Sequence, residues 1–403
     1  MKTKEELMTI YEEAIEFHRK NGGKLDINPK FNITSKHDLS LAYTPGVAGV
    51  CEAIANNPAL AYELTIKKNT VAIVTDGSAV LGLGNIGATA SIPVMEGKAL
   101  LFKEYAGIDA FPICIESQNT AEIVNIVKNI TPMFAGVNLE DIAAPRCFEI
   151  ETLLSDIGIP VFHDDQHGTA IVTLAAIINA TQLAGKDLTQ LKVVINGAGA
   201  AGSAIADMLL NMSYSHHPTK SVKEIIICDS KGILHESRPD LNENSAKLRL
   251  ARRTNRNNVT GQLADALVDA DVFIGVSVAK AVTGEMVGRM KKDPIIFAMA
   301  NPIPEIMPDE AKAAGAFIVG TGRSDFSNQV NNVLAFPGIF RGAIDAKATQ
   351  FTHDMKLAAA FAIAESVEYP NVDSILPQVL DKQVPYMVAE KVKNCYLKPA
   401  AVA

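Results

Sequence analysis

No stretch of the chain reaches the roughly 18 consecutive apolar residues that a membrane-spanning helix needs, so nothing in it predicts a membrane protein. No two cysteines have CxxC spacing. Cys51, Cys114, Cys147, Cys228 and Cys395 are scattered, several in apolar settings. They read as reduced, buried thiols of a cytoplasmic protein, not as a disulfide framework. Positive charge is short as well: 37 Lys and Arg against 45 Asp and Glu leave a net charge of −8. That argues against a nucleic-acid partner, because phosphate binding needs a basic face. The most basic stretch, NENSAKLRLARRTNRNN at 242–258, lacks aromatics and reads as a solvated loop and short helix. The N-terminal MKTKEELMTIYEEAIEFHRK has no apolar h-region and reads as an amphipathic helix, not a signal peptide. There is no internal repeat.

What is present is a globular composition, 48% apolar and 20% charged, over 403 residues, which is too long for one ordinary core. Short apolar runs ending in polar or glycine residues predict buried strands at Val71–Thr75, Ala110–Ile115, Val137–Leu139 and Ile159–Phe162. A second set follows at Leu191–Asn196, Glu224–Cys228, Val272–Val276, Ile295–Met299 and Phe317–Gly320. Helical patterns alternate with them at Leu7–Arg19, Val47–Ala55, Ile92–Tyr105, Asn119–Asn129, Thr169–Ala180, Ser203–Asn211, Met355–Val367 and Leu376–Lys393. The alternation predicts an α/β protein with two parallel-sheet domains, the second a Rossmann-type dinucleotide-binding domain. The expected boundaries are 1–165 for a substrate- and metal-binding domain, 166–345 for the nucleotide domain, and 346–403 for C-terminal helices packing on both.

The pattern GxGxxG occurs twice, at Gly82–Gly87 and at Gly197-Ala198-Gly199-Ala200-Ala201-Gly202. In the second a strand runs straight into the first glycine and a helix opens at the third, the context a pyrophosphate needs. The next strand ends in Asp229, 27 residues beyond Gly202. The spacing is longer than the usual ~20, and 211–223 can loop out to absorb the difference. Asp229 would accept the adenosine ribose hydroxyls and favour NAD; Lys231 keeps NADP open. Gly82–Gly87 lies beyond its strand and is expected to shape the cleft from the other domain.

Two acid pairs follow strand-like runs, Glu140-Asp141 and Asp164-Asp165, the latter flanked by His163 and His167. Acids there point into the crevice where parallel sheets bind ligands, and hard oxygen donors favour a divalent ion such as Mg2+ or Mn2+ over zinc. Each pair taken alone could equally be a helix cap. Lys98, in an apolar stretch, either snorkels to solvent or is held in a site with a depressed pKa. Tyr43 alone reads as a packed aromatic.

Together these residues resemble malic enzymes, specifically the short bacterial form. The matching motifs are Tyr43-Thr44-Pro45-Gly46-Val47-Ala48, Thr75-Asp76-Gly77-Ser78, Leu81-Gly82-Leu83-Gly84, Glu96-Gly97-Lys98, Asn138-Leu139-Glu140-Asp141, His163–Ala170, Gly197-Ala198-Gly199, Ala300-Asn301-Pro302 and Asn331–Gly338. They run in order over nearly the whole chain. The resemblance implies oxidative decarboxylation of L-malate to pyruvate and CO2 with reduction of NAD or NADP, dependent on Mg2+ or Mn2+. It implies metal ligands Glu140, Asp141 and Asp165, general base Lys98, general acid Tyr43, and substrate asparagines Asn301 and Asn332. Asp164 would orient Lys98 or a metal-bound water, and Lys98 is expected to be neutral because burial and the nearby cation disfavour its charge. A homodimer is implied too, and the amphipathic Leu7–Arg19 is a candidate to pack across it. Ala79 stands where the larger enzymes carry a substrate-binding arginine. Oxaloacetate decarboxylation with weak malate oxidation, malolactic conversion, and a non-catalytic nucleotide sensor are the competing readings.

Overall fold

The computed structural model describes residues 4–397 apart from 81, 215–216 and 219–220. Leu81 of the Leu-Gly-Leu-Gly motif, part of the 211–223 loop and the Ala/Val tail therefore lie outside the described residues. Strands β1 (Thr70–Thr75), β2 (Asp109–Cys114), β3 (Gly136–Leu139) and β4 (Val161–His163) form a parallel sheet in the order β2-β1-β3-β4. All six residues of β1 are buried, as happens when a parallel sheet is covered on both faces. Alternate residues serve opposite sides. Val71 and Ile73 meet Phe102 of helix Gly87–Ala106, while Ala72 and Val74 meet Ile123, Val127 and Ile150 from helices Thr120–Ile130 and Arg146–Leu153.

A second sheet follows from β5 (Lys192–Asn196). After it, β6 (Ser213–Tyr214) and β7 (His217–Pro218) make a short antiparallel pair inside the long connection, which does loop out. Strands β8 (Glu224–Asp229), β9 (Gly232–Ile233), β10 (Val272–Gly275), β11 (Ile295–Ala298) and β12 (Ile318–Thr321) complete the order β12-β11-β10-β5-β8-β9. All pairings are parallel except β8 with β9. The chain winds one way from β5 to β8 and the other way from β10 to β12. A crevice therefore opens past the C-terminal end of β5, where such sheets bind ligands.

Helix Asp164–Leu183 starts at the end of β4 and packs against helices Ala200–Leu210 and His353–Glu365. It begins five residues before the expected Thr169, which puts Asp164 and Asp165 in its first turn, where the helix dipole favours negative charge. The final helix is Gln383–Leu397, not Leu376–Lys393. Leu376 is buried in the core, but Pro377 disfavours helical backbone in the residue before it. Cys147 and Cys228 are buried, Cys114 and Cys395 half-buried, and Cys51 is exposed, against expectation. Burial pushes the Cys147 and Cys228 thiols up to about 12, so neither is a thiolate at neutral pH.

None of the described residues from 9 to 69 has a buried side chain. Helices Lys4–Asn21, Lys36–Ala42 and Val47–Asn56 lie along the outside, with Tyr11, Ile15, Phe17, Phe31 and Leu41 more than half exposed.

Candidate active site

The C-terminal ends of β3 and β4 bring the two acid pairs together. Ligand oxygens of Glu140, Asp141 and Asp165 lie within 4.8 Å of one another. Asp141 takes left-handed backbone (φ 54°), which Asp tolerates better than most residues, and its N–H donates to Asp165 Oδ2 at 2.9 Å. Asn138 Nδ2 donates to Glu140 Oε2 at 2.8 Å. Burial, reinforced by the charge of Asp165, pushes the Asp141 carboxyl up to about 8. Glu140 is likewise held well above the usual carboxylate range by burial, against the pull of Lys98. Asp141 Oδ2 is buried without a hydrogen-bond partner. Three converging carboxylates, one with an orphaned oxygen, fit a hard divalent cation. The histidines do not join this group. His167 Nε2 is 2.6 Å from Glu151 and 3.0 Å from Lys356, and His163 Nδ1 is 3.8 Å from Asp165 Oδ2, with neither ring nitrogen hydrogen-bonded.

Lys98 reaches the same cluster from helix Gly87–Ala106. Its Nζ lies 2.6 Å from Asp164 Oδ2 and 2.9 Å from Glu140 Oε1, and 4.2 Å from the centroid of the Phe336 ring. It does not snorkel. The expected depressed pKa is reversed: burial lowers it, but the charges of Asp164 and Glu140 outweigh burial and hold the ammonium above the ordinary lysine range. Asn332 Nδ2 donates to Asp164 Oδ2 at 3.1 Å and its Oδ1 accepts from Thr169 at 3.2 Å. Asn301 stands elsewhere on the rim, its Nδ2 3.4 Å from Met299 O and its carbonyl facing Gly82.

Gly168 explains why Asp164 can lie where it does. A mid-helix glycine costs about 1 kcal/mol relative to alanine, yet a Cβ here would collide with Asp164 Oδ1. Gly168→Ala is therefore expected to displace Asp164 from Lys98, costing about 1–3 kcal/mol in a thermal melt and lowering kcat at least tenfold. A wild-type kcat in that variant would refute the account.

Tyr43 is 67% exposed at the end of helix Lys36–Ala42, and the hydrogen bonds described for Lys98 and the acids do not involve its hydroxyl. Ala79 N–H donates to Asp141 O, so the segment lacking arginine borders the acid cluster. A cation does lie beside it: Arg146 Nη2 donates to Asp76 Oδ2 at 2.7 Å and to Ser78 Oγ at 2.9 Å. Sequence reading overlooked Arg146, whose only local signal is its position five residues after Asp141.

The glycine loop lines a cavity of about 500 Å3 with Asn196, Asp229, Lys247 and Ser277; Ala144, Pro145 and Phe148 form the wall from the first sheet's side. Gly197 has φ 131° and packs on the Val276 carbonyl, and a Cβ on Gly202 would strike the Gly197 carbonyl. Gly199 caps the helix that opens with Ala200 and Ala201, leaving first-turn N–H groups free to meet phosphate.

Asp229 lies where expected but is already engaged. Its Oδ1 accepts from Lys231 N and Arg238 Nη1, both at 2.9 Å, and its Oδ2 from Arg238 Nη2 at 3.1 Å and Lys247 Nζ at 2.6 Å. With these partners in place its acceptor positions are taken, so a ribose hydroxyl would have to displace one of them.

Residues 23–155 match the family model of the malic enzyme N-terminal domain, and residues 166–396 match that of the malic enzyme NAD-binding domain. The chain is 55% identical to a bifunctional malic/malolactic enzyme of Bacillus subtilis, over 97% of this chain and 94% of the other. It is 52% identical to an NAD-dependent malic enzyme of Geobacillus stearothermophilus, over 94% and 77%. The crystal structure of an NAD-dependent malic enzyme from Thermotoga maritima superposes with a TM-score of 0.90 at 49% identity, over 94% of this chain and 98% of that one.

Proposed function

The chain belongs to the malic enzyme family, and from that premise we propose the chemistry of its cleft: oxidative decarboxylation of L-malate to pyruvate and CO2, with reduction of NAD or NADP and dependence on a divalent ion. The observation that carries this reading is Lys98 clamped between Glu140 and Asp164, beside a three-carboxylate cluster.

Glu140, Asp141 and Asp165 would hold Mg2+ or Mn2+, and Gly197–Gly202 the pyrophosphate. When bound, the ion supplies Lewis-acid polarisation at C2 and the nicotinamide supplies the hydride acceptor. The side chains do the rest. Lys98 first gives up its own proton to solvent, which becomes easier once Glu140 is engaged elsewhere and one of its two counter-charges is withdrawn, and the neutral amine then takes the proton of the C2 hydroxyl. Asp164, held by Asn332, aims it. Asn301 and Asn332 orient the substrate. Tyr43 delivers a proton to C3 of the enol left by loss of CO2. Its hydroxyl comes from the outer 9–69 segment, so we assign that segment to a homodimer interface that buries its apolar side chains. Sedimentation of the intact protein as a monomer at micromolar concentration would reject the dimer.

For the nucleotide, we propose that either NAD or NADP is used. A ribose hydroxyl reaches Asp229 only by displacing Lys247, and the same lysine lines the cavity where a 2′-phosphate would sit. Lys247→Ala is expected to weaken NADPH binding by roughly tenfold, the size of one charge-assisted hydrogen bond, while NADH binding holds or tightens. Nicotinamide fluorescence titration measures both. The reaction itself is tested by incubating the protein with malate, Mn2+ and each nucleotide. A rise in reduced nicotinamide with pyruvate as product is expected. Lactate would indicate the malolactic reaction named for the Bacillus subtilis relative, and faster turnover of oxaloacetate than of malate a decarboxylase.

A further inference from the structure

Glu305 has no place in the chemistry above, yet it is fully buried at the C-terminal ends of β10 and β11. Each of its carboxylate oxygens accepts a backbone N–H from a different loop. Oε1 takes Ser277 N at 3.1 Å, and Oε2 takes Ala300 N at 3.0 Å. Ser277 lines the nucleotide cavity, and its Oγ accepts from Asn196 Nδ2 at 2.8 Å, one residue before the first glycine of the loop. Ala300 is the residue before Asn301. Two backbone bonds close the same seam, Lys280 N to Pro304 O and Val282 N to Glu305 O. Gly275 makes the room: a Cβ there would overlap the Glu305 carboxylate.

A buried carboxylate is expensive to keep unless its acceptors are used. Here they tie Ser277 and Ala300, at the inner ends of the two loops, where the backbone bonds of the seam do not reach. We propose that Glu305 is a positioning residue that locks the nucleotide cradle to Asn301, so that the nucleotide and the substrate's asparagine are set by one carboxylate. The inference rests on the reaction proposed above, in which Asn301 holds substrate.

The test uses the full chain as wild type, Glu305→Gln, Asn301→Ala and the double variant. An amide at 305 keeps the shape but turns one acceptor into a donor facing an N–H. The malate KM should rise roughly tenfold, the size of one lost buried hydrogen bond. NADH affinity measured by fluorescence without substrate should fall severalfold. In the double variant the KM increase should be well short of the product of the two single increases, because both act through Asn301. Multiplicative increases in KM, or NADH affinity unchanged in Glu305→Gln, overturn the proposal. If Glu305→Gln does not fold, Glu305→Asp replaces it, since it keeps the charge but reaches only one of the two N–H groups. Failure of both to fold makes Glu305 a folding determinant and also overturns it. Wild-type protein inactive on malate with either nucleotide refutes the proposed reaction instead, while the NADH titration of Glu305→Gln still reads the link to the cradle.

Discussion

Lys98→Ala is expected to lose roughly 10²–10⁴-fold in kcat, the range that a positioned general base contributes, while binding NADH as the wild type does. The separation follows from geometry. Lys98 touches Asp164, Glu140 and Phe336 but nothing in the nucleotide cavity. Removing its charge also leaves four neighbouring acids with less to offset them, so affinity for Mn2+ should hold or increase. A simple loss of the metal site would show the reverse. Small primary amines added to the variant should restore part of kcat, since the missing group is one amine in a pocket of defined size. Full activity in Lys98→Ala, or a collapse of Mn2+ affinity instead of kcat, would remove Lys98 from the role of base.

The acid cluster predicts an unusual pH dependence of stability. In the folded protein Asp141 is raised to about 8 and Glu140 is raised in the same direction, burial being the first cause for each. Between the ordinary carboxylate value near 4 and about 8, the folded state therefore binds more protons than the unfolded one, and the unfolding free energy falls as pH rises. A salt-bridged carboxylate would give the opposite slope. With chelator present, Tm should thus be lower at pH 8 than at pH 5. Mg2+ or Mn2+ should raise Tm more at pH 8, because a ligand of the folded state alone stabilises by mass action and finds the carboxylates charged there. Asp141→Asn should flatten the chelated profile and abolish most of the metal-induced rise. Chelated protein equally stable at both pH values, or a metal response untouched by Asp141→Asn, would contradict this.

The parts legible in the sequence were those set by local pattern. Val71–Thr75 and Glu224–Cys228 read as strands because buried parallel strands are unbroken apolar runs stopped by Asp or Gly, and the structure extends each by one residue. Asn119 read as a cap because its side chain can satisfy a first-turn N–H, as it does for Glu122. Properties summed over distant residues were not legible. The state of Lys98 depends on Asp164 and Glu140, two carboxylates from other segments, which its apolar neighbourhood in the sequence does not display. Asp229 looked free because Arg238 and Lys247 reach it on long side chains across β9 and the turn beyond it. Gly168 looked like part of a motif, and only the packing of Asp164 against it shows what it allows.

Helix Asp164–Leu183 has one further consequence. Its first turn carries Asp165 to the first sheet's acids, and the rest of it is packed into the second unit. The two halves of the molecule therefore share a rigid tiller. If the cleft gapes to exchange nucleotide, that helix swings with the second half and draws Asp165 away from Glu140 and Asp141. Such an opening would loosen the seat proposed for the ion, and a retained ion would favour the shut form.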